Sequence, residues 1–183
     1  MLKAYFNMGI SYEYLNDPNM AISNFRKVIE LDPDFAPAYF HCGVTSYKSG
    51  KFTEAIEFYN KAVHIDPKMS SAYHNRGIAK EKLKDFRGAL EDYNQTLILD
   101  PNNSLAYFNS GSVKYILGDH YGAINDYNKA IDLDPRAHWA YHHRAIAKSK
   151  TGDIMSACLD WTKAGELGSK ISYEMIKSYC NLS

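Results

Sequence analysis

The sequence predicts an all-α chain, an α-solenoid of five helix-turn-helix repeats followed by a C-terminal capping helix. A tyrosine recurs every 34 residues, and an alanine, an aromatic residue and a proline recur with the same period. The tyrosines and alanines are Tyr5, Tyr39, Tyr73, Tyr107 and Tyr141, and Ala21, Ala55, Ala89, Ala123 and Ala157. Self-similarity at one fixed period indicates a repeat architecture.

Composition agrees with a globular chain that needs no cofactor for stability. The 183 residues are enough to bury a substantial core, and 45% are hydrophobic against 23% charged. Because 21 basic residues balance 21 acidic ones, the field that drives nucleic-acid binding is missing. No segment approaches about 18 consecutive apolar residues, so we expect no membrane insertion.

The cysteines give no sign of a disulfide framework or of a zinc site. Cys42, Cys158 and Cys180 are odd in number and form no C-x-x-C pair. A reducing compartment, and hence a cytoplasmic location, fits this pattern. The first residues already fit a repeat, which is compatible with a chain cut from a longer protein.

Each repeat is predicted to form two antiparallel helices in close contact. The contact is expected where a small residue on the first helix and the alanine on the second face large aromatic side chains. The small residues are Gly9, Gly43, Gly77, Gly111 and Ala145, and the aromatic residues are Phe25, Tyr59, Tyr93, Tyr127 and Trp161. The turn between the helices is predicted at Gly50, Gly118 and Gly152, and at Asp17-Pro18-Asn19 in the first repeat.

The second helix of each repeat is predicted to end at an Asp-Pro step, because proline excludes the preceding residue from the α region. These steps end at Pro33, Pro67, Pro101 and Pro135, while Ser169 stands at the corresponding place in the fifth repeat. Beyond Gly168, an apolar stripe predicts a capping helix at about 170–180.

This pattern resembles the tetratricopeptide repeat (TPR) family, whose unit reads W-x2-L-G-x2-Y, then A-x3-F, then P. The first repeat reads Tyr5-x2-Met8-Gly9-x2-Tyr12, then Ala21-x3-Phe25. The resemblance implies a right-handed superhelix and a non-catalytic scaffold for protein–protein interaction. It divides a single domain, 1–183, into repeats 2–35, 36–69, 70–103, 104–137 and 138–171.

Catalytic and metal-binding motifs are not found in the sequence. It contains no Gly-rich phosphate loop, no G-x-S-x-G and no His-Glu-x-x-His, so we expect neither an enzyme nor a cofactor. His138, His142 and His143 lie close together, but no Glu or Cys stands nearby at ligand spacing. A groove-lining role is therefore a simpler interpretation than a zinc site.

Two arginines replace the apolar residue that the repeat pattern places on the first helix. They are Arg76 and Arg144, in repeats three and five. An aspartate recurs at one second-helix position of repeats three to five, as Asp92, Asp126 and Asp160, so only repeats three and five carry both groups. A buried guanidinium group needs a partner. We therefore predict the pairs Arg76–Asp92 and Arg144–Asp160, with a structural rather than a ligand-binding role.

The resemblance also implies that the first helices line the concave side and hold the partner, a protein or an extended peptide. The Lys/Arg and Asn set with which some family members bind acidic chaperone tails is absent. An asparagine ladder like that of O-linked N-acetylglucosamine transferase is matched in part. The predicted groove residues are Asn7, Phe40, His41, His74, Asn75, Phe108, Asn109, Trp139, His142 and His143. With histidines at their ordinary pKa of about 6.5, acidic ligands would bind more tightly below that pH.

Two alternatives remain open at this point. One is a self-assembling structural module, in which the exposed ends of the repeat array stack between chains. The other is a regulatory TPR domain that belongs to a larger protein.

Overall fold

A computed structural model describes residues 1–180 of the chain. These residues form eleven α-helices and no β-strand. The first helix of each repeat is called helix A and the second helix B. The A helices are α1 (Leu2–Tyr14), α3 (Ala36–Lys48), α5 (Ser70–Lys82), α7 (Ser104–Ile116) and α9 (His138–Lys150). The B helices are α2 (Pro18–Leu31), α4 (Phe52–Ile65), α6 (Phe86–Leu99), α8 (His120–Leu133) and α10 (Ile154–Glu166), and α11 (Lys170–Tyr179) follows. The predicted all-α architecture is confirmed.

The chain divides into two compact units, Met1–Leu99 and Asp100–Ser183. In unit 1, each A helix packs on the B helix of its own repeat, α2 packs on α3, and α4 packs on α5. Successive A helices also touch, whereas no comparable packing joins the B helices within residues 1–99. Unit 2 shows the same order from α7 to α10, with α11 packed on α10. The A helices therefore line the inner surface of each unit.

Inside each repeat, the aromatic ring of helix B lies against the small residue of helix A. A Cβ atom built on Gly77 would lie 2.7 Å from Cε1 of Tyr93, and one on Gly43 would lie 2.5 Å from Cε1 of Tyr59. Gly9 and Gly111 face Phe25 and Tyr127 in the same way. All five aromatic residues and all five repeated alanines are buried, as the sequence predicts.

Replacement of Gly77 by alanine is expected to destabilise unit 1 by about 1–3 kcal/mol, because the new methyl group must displace the Tyr93 ring. Urea unfolding followed by circular dichroism measures the loss. The additional change Tyr93→Leu is the control, since it removes the ring and should make the Gly77→Ala change less costly. Unfolding of Gly77→Ala that matches the parent protein would show that the close contact is not a constraint.

The turns between helices A and B need one residue in the left-handed conformation. The predicted glycines adopt it, with φ of 76° at Gly50 and 87° at Gly118 and Gly152. Repeats one and three use Asn16 (φ 58°) and Lys84 (φ 62°) instead. The prediction for the first repeat is corrected here. Asp17 is the N-cap of α2, where its side chain accepts a hydrogen bond from Met20 N, so Asp17-Pro18 starts α2.

The predicted arginine–aspartate pairs are confirmed, and each belongs to a larger cluster. Nε of Arg76 donates to Asp92 Oδ2 at 3.0 Å, and Lys80 Nζ approaches the same oxygen at 2.8 Å. Nη1 of Arg76 donates to Asn60 on the helix B of the preceding repeat, at 2.8 Å. Repeat five is built in the same way from Arg144, Asp160, Lys148 and Asn128.

The aspartate of this cluster is expected to matter more than the arginine. Arg144→Met leaves Asp160 paired with Lys148, whereas Asp160→Ala leaves two cations without their acid and should cost about 3 kcal/mol or more. Thermal and urea unfolding give the order of stabilities. Glu174→Ala is a matched control, because the Lys177–Glu174 pair is exposed and should contribute little. Equal stabilities of the two cluster variants would rule out the ion-pair explanation.

A disulfide joins Cys158 on α10 to Cys180 at the end of α11, which corrects the expectation from the cysteine pattern. The two residues are 22 positions apart and match no spacing motif. They meet because α11 folds back along α10, a tertiary event that spacing does not encode. The bond also removes the observation on which the expected reducing compartment rested. Cys42 is free, and burial raises the pKa of its thiol to about 12.

Within residues 1–180, the helices are all too short or too polar to cross a membrane.

Candidate functional site

The inner surface of each unit contains a cavity between successive A helices. In unit 1 it lies between α3 and α5, with a volume of about 170 Å³, and is lined by Val44, Tyr47, Lys48, Tyr59, Asn75 and Ile78. In unit 2 it lies between α7 and α9, with a volume of about 410 Å³, and is lined by Ser112, Tyr115, Ile116, Tyr127, His143 and Ile146. These cavities are referred to below as cavity 1 and cavity 2.

The two cavities are built from the same six repeat positions. Each residue of cavity 2 stands two repeats after its counterpart in cavity 1. Two tyrosines and one isoleucine are common to both sets, whereas Val44, Lys48 and Asn75 are replaced by serine, isoleucine and histidine. The repeat geometry thus produces one kind of cavity twice, with different polar groups.

A third cavity of about 150 Å³ lies between α1 and α3, and a carboxylate dominates its chemistry. Glu13 accepts hydrogen bonds from His41 Nδ1 and from Lys48 Nζ, both at 2.9 Å. Burial raises the pKa of Glu13, but these hydrogen bonds and charges outweigh burial and leave it below its usual value. Glu13 is therefore ionised at neutral pH.

The residue two after the repeated tyrosine is called the groove position. It comprises Asn7, His41, Asn75, Asn109 and His143. Three of these residues line a cavity: His41 between α1 and α3, Asn75 in cavity 1 and His143 in cavity 2. Asn7 is exposed on α1, and Asn109 forms an interaction of its own.

The residue directly after the repeated tyrosine packs on the helix-B ring of its own repeat. Ring centroids are 5.8 Å apart for Phe6 and Phe25, and 6.0 Å apart for Phe40 and Tyr59. The corresponding distance is 5.7 Å for His74 and Tyr93, and also for Phe108 and Tyr127. Trp139 then packs edge-on against Phe108 at 4.5 Å. The predicted aromatic groove residues therefore form a layer between the core and the cavities.

His142 points to a different neighbour from His143, although the two are adjacent in sequence. Only 7% of His142 is exposed, and its Nδ1 lies 2.8 Å from Ser172 Oγ, which donates to Ser169 Oγ. This histidine–serine contact joins α9 to the capping helix. Because Ser172 is fully buried, a ligand in solution does not reach the contact. Within residues 1–180 no group of three His, Cys, Asp or Glu side chains converges on a metal position.

The expectation that acidic ligands bind more tightly near pH 6.5 is not supported by the environments of three histidines. Burial lowers the pKa of His74. Burial, together with the charges of His143 and His138, lowers the pKa of His142. For His143, burial lowers the pKa more than the hydrogen bond to the Trp139 carbonyl raises it. Each of these three imidazoles is therefore harder to protonate than an imidazole in solvent.

Several cavity residues were not among the predicted groove residues. Their period predicts a core position for Tyr59 and Tyr127, and both are 1% exposed, yet both also line the cavities. The aliphatic side chains of Val44, Ile78 and Ile146 occupy one repeat position, one turn beyond the groove position. The recurrence of an aliphatic residue at this position of helix A was the sequence signal that could have identified them as cavity residues.

Comparison with known families agrees with the repeat geometry. The tetratricopeptide repeat model matches residues 2–35 and 70–103, and a second TPR repeat model matches residues 45–84 and 111–152. The chain belongs to the tetratricopeptide repeat family. A search of curated protein sequences found no match.

Solved structures with the same fold include a MamA protein, which is 26% identical, covers 100% of this chain and 96% of its own, and superposes with a TM-score of 0.84. YrrB, described as a TPR protein with an unusual peptide-binding site, is 20% identical over 95% of this chain and 90% of its own, with a TM-score of 0.82. PilF of Pseudomonas aeruginosa is 21% identical over 92% and 77%, also with a TM-score of 0.82. The predicted fold class, an all-α solenoid of TPR hairpins, is confirmed.

Proposed function

We propose that the chain is a non-catalytic scaffold that binds an extended segment of a partner protein along the A-helix surface of each unit. Support comes from the repetition of one kind of cavity at equivalent positions of the two units. Cavities between successive A helices suit a partner that has a repeating main chain of its own.

The size and lining of cavity 1 favour a side chain of a peptide over a small molecule. Cavity 1, at about 170 Å³, is smaller than the roughly 300–1,000 Å³ that is typical of small-molecule sites. Its walls are formed mainly by Val44, Ile78 and two tyrosine rings, with Asn75 and Lys48 as the polar groups. An aliphatic or aromatic side chain of the partner would be buried there, and its main chain would run past the polar groups.

The relatives provide a parallel, since YrrB shares the fold and is described as having a peptide-binding site. Non-catalytic binding is also the usual role of this family, as the repeat pattern implies. The predicted groove residues Asn75 and His143 line the cavities, and Phe40, Phe108 and Trp139 pack behind them.

Loss of one cavity wall is expected to weaken peptide binding without unfolding the chain. Random peptides displayed on phage are selected on the purified chain, and the enriched sequences are measured by fluorescence anisotropy. Ile78→Gln and Ile146→Gln should each weaken a peptide that uses the corresponding unit by roughly tenfold, because a buried apolar contact is lost.

Matched controls are available on helix B, where Ile98 is 72% and Leu159 is 69% exposed. Ile98→Gln and Leu159→Gln should leave the affinity within about twofold of the parent value. Peptides that bind both cavity variants at full strength, or that lose affinity in the controls, would contradict binding along the A helices.

Self-association is a second candidate, favoured by the outer face of α1. Ala4, Met8 and Ser11 are exposed there, whereas their equivalents one repeat later, Ala38, Cys42 and Thr45, are buried where α3 packs on α2. The face of α1 thus has the shape that a B helix covers elsewhere in unit 1, and a second copy of the chain could cover it.

Met8→Lys is expected to abolish such an association, because it places a charge in the centre of this face. Sedimentation velocity over a range of concentrations shows whether the average mass rises for the parent chain and not for this variant. Met155→Lys is the control, since Met155 is 81% exposed on α10. A parent chain that stays monomeric at all concentrations would exclude this candidate.

A further inference from the structure

The position of the proton on His143 follows from its hydrogen bond. Nδ1 of His143 lies 2.8 Å from the carbonyl oxygen of Trp139, one turn earlier on α9. A carbonyl oxygen can only accept, so Nδ1 carries the hydrogen. In the neutral imidazole the other nitrogen, Nε2, is then a hydrogen-bond acceptor.

The same reasoning applies to His41, the groove position of the second repeat. Its Nδ1 lies 2.9 Å from Oε2 of Glu13, which is ionised and can only accept. Nδ1 of His41 therefore carries the hydrogen, and Nε2 of the neutral ring is an acceptor. The ring is held between aromatic neighbours, stacked on Phe25 with a centroid distance of 5.4 Å and edge-on to Phe6 at the same distance.

Both Nε2 atoms are available to a ligand. Within residues 1–180 neither makes a hydrogen bond to the protein, and the buried polar side-chain atoms without a partner are Ser46 Oγ, His120 Nδ1 and Trp161 Nε1. The Nε2 atoms of His41 and His143 are not among them, so they contact solvent. Because both histidines line cavities, that solvent is the solvent of the groove.

Besides Tyr115, the other polar groups of cavity 2 are Ser112 and Tyr127, and both donate their hydroxyl hydrogens to groups of the cavity wall. Ser112 Oγ donates to the carbonyl oxygen of Phe108 at 3.0 Å, and Tyr127 Oη donates to Ser112 Oγ at 3.2 Å. Ser112, Tyr127 and Nδ1 of His143 thus all donate their hydrogens to acceptors of the protein itself. The lining includes no charged side chain. Cavity 2 is therefore richer in acceptors than in donors, and it matches a ligand that supplies N–H groups.

We propose that His41 and His143 recognise main-chain N–H groups of an extended peptide through Nε2, each as a hydrogen-bond acceptor in its own unit. The proposal rests on the peptide-binding function proposed above and specifies its chemistry. At the same groove position Asn75 has an amide oxygen, which is also an acceptor. In the sequence, His41 and His143 interrupt the run of asparagines at the groove position. As hydrogen-bond acceptors, however, they offer a ligand the same kind of contact as an asparagine oxygen.

Acid is then expected to weaken binding at His143, because a protonated Nε2 donates instead of accepting. Since burial lowers the pKa of His143, the ring stays neutral at pH 7 and loses its acceptor only when the pH falls below that lowered value. The titratable groups around it are Tyr115 on α7, Tyr127 on α8 and His142 on α9, the last with its ring centroid 5.5 Å away.

The test uses the tightest-binding peptide from the phage selection. Each of its amides is replaced in turn by an ester, which removes one N–H group with little change of shape. With the parent chain, the ester at the contacting position should weaken binding roughly fivefold to tenfold, the effect of one hydrogen bond. With His143→Phe, or with His41→Phe for a peptide held by unit 1, that position-specific effect should disappear. His143→Asn should restore it, since it brings back an acceptor.

The pH arm uses the same peptide between pH 7.5 and pH 5. Affinity of a peptide held by unit 2 should fall with acid for the parent chain and not for His143→Asn. His138→Asn is the control, because His138 is exposed on the same helix and should leave the pH dependence unchanged. The melting temperature of each variant is measured, and His143→Asn keeps the proposal testable if the phenylalanine variant unfolds.

A ligand-free measurement addresses the protonation state directly. Long-range ¹H–¹⁵N correlation spectra of the imidazoles should show that the neutral rings of His41 and His143 carry their hydrogen on Nδ1, and neutral rings with the hydrogen on Nε2 would overturn the proposal. Another outcome is a peptide that loses affinity in Ile78→Gln or Ile146→Gln and yet shows no ester effect that disappears in His41→Phe or His143→Phe. That result overturns the histidine proposal and leaves the proposed peptide-binding function standing. If no peptide binds the A-helix surface, the proposed function fails as well.

Discussion

The contact between the helix-B aromatic ring and the small residue of helix A is the constraint on which the rest of the structure depends. Because a glycine removes the Cβ atom, the ring of Tyr59 or Tyr93 can lie directly on the backbone of helix A. The ring then extends beyond the core, and its hydroxyl group ends at the inner surface. Tyr59 lines cavity 1, and Tyr93 donates to Glu81 at 2.9 Å. One packing contact thus fixes the distance between the helices and also forms the floor of the groove.

The first and last repeats show what the hydroxyl group contributes. Phe25 has none, and there the floor between α1 and α3 is formed by Glu13 with its partners His41 and Lys48. Trp161 occupies the ring position of the fifth repeat, where Met175 and Ile176 of α11 pack against it. Both repeats keep the packing and change the chemistry of the surface.

The sequence predicted the fold well because the fold is periodic, and each period repeats the same local physics. Alanine, glycine and aromatic residues at fixed offsets specify how two helices approach, so all five hairpins were predictable. The arginine pairs were predictable for another reason, since a buried charge must have a partner. The asparagines of these clusters were not predictable, because Asn60 and Asn128 reach the arginines from the preceding repeat. The bond between Cys158 and Cys180 was missed for the same reason, as it depends on how α11 returns along α10.

The candidate site was predicted only in part, because neighbouring residues on a helix point in directions about 100° apart. The predicted set combined two such directions. His143 faces a cavity, whereas His142 faces Ser172 on the capping helix and is buried. Phe40 and Phe108 belong to the direction that packs on the helix-B rings. Period alone groups residues by repeat position, but only the structure shows which position reaches the groove.

Under the proposed function, stability and recognition depend on different positions of one repeat. The positions that build the hairpin hardly vary, because any change of volume there disturbs the contact between helix A and helix B. The positions around the cavities vary from repeat to repeat, as Lys48 against Ile116 and Asn75 against His143 show. Since the backbone geometry is common to all repeats, such changes alter which partner groups are satisfied without altering the fold. In the proposed binding mode, the chain specifies an extended ligand by combining local preferences, each determined by two or three side chains on adjacent A helices.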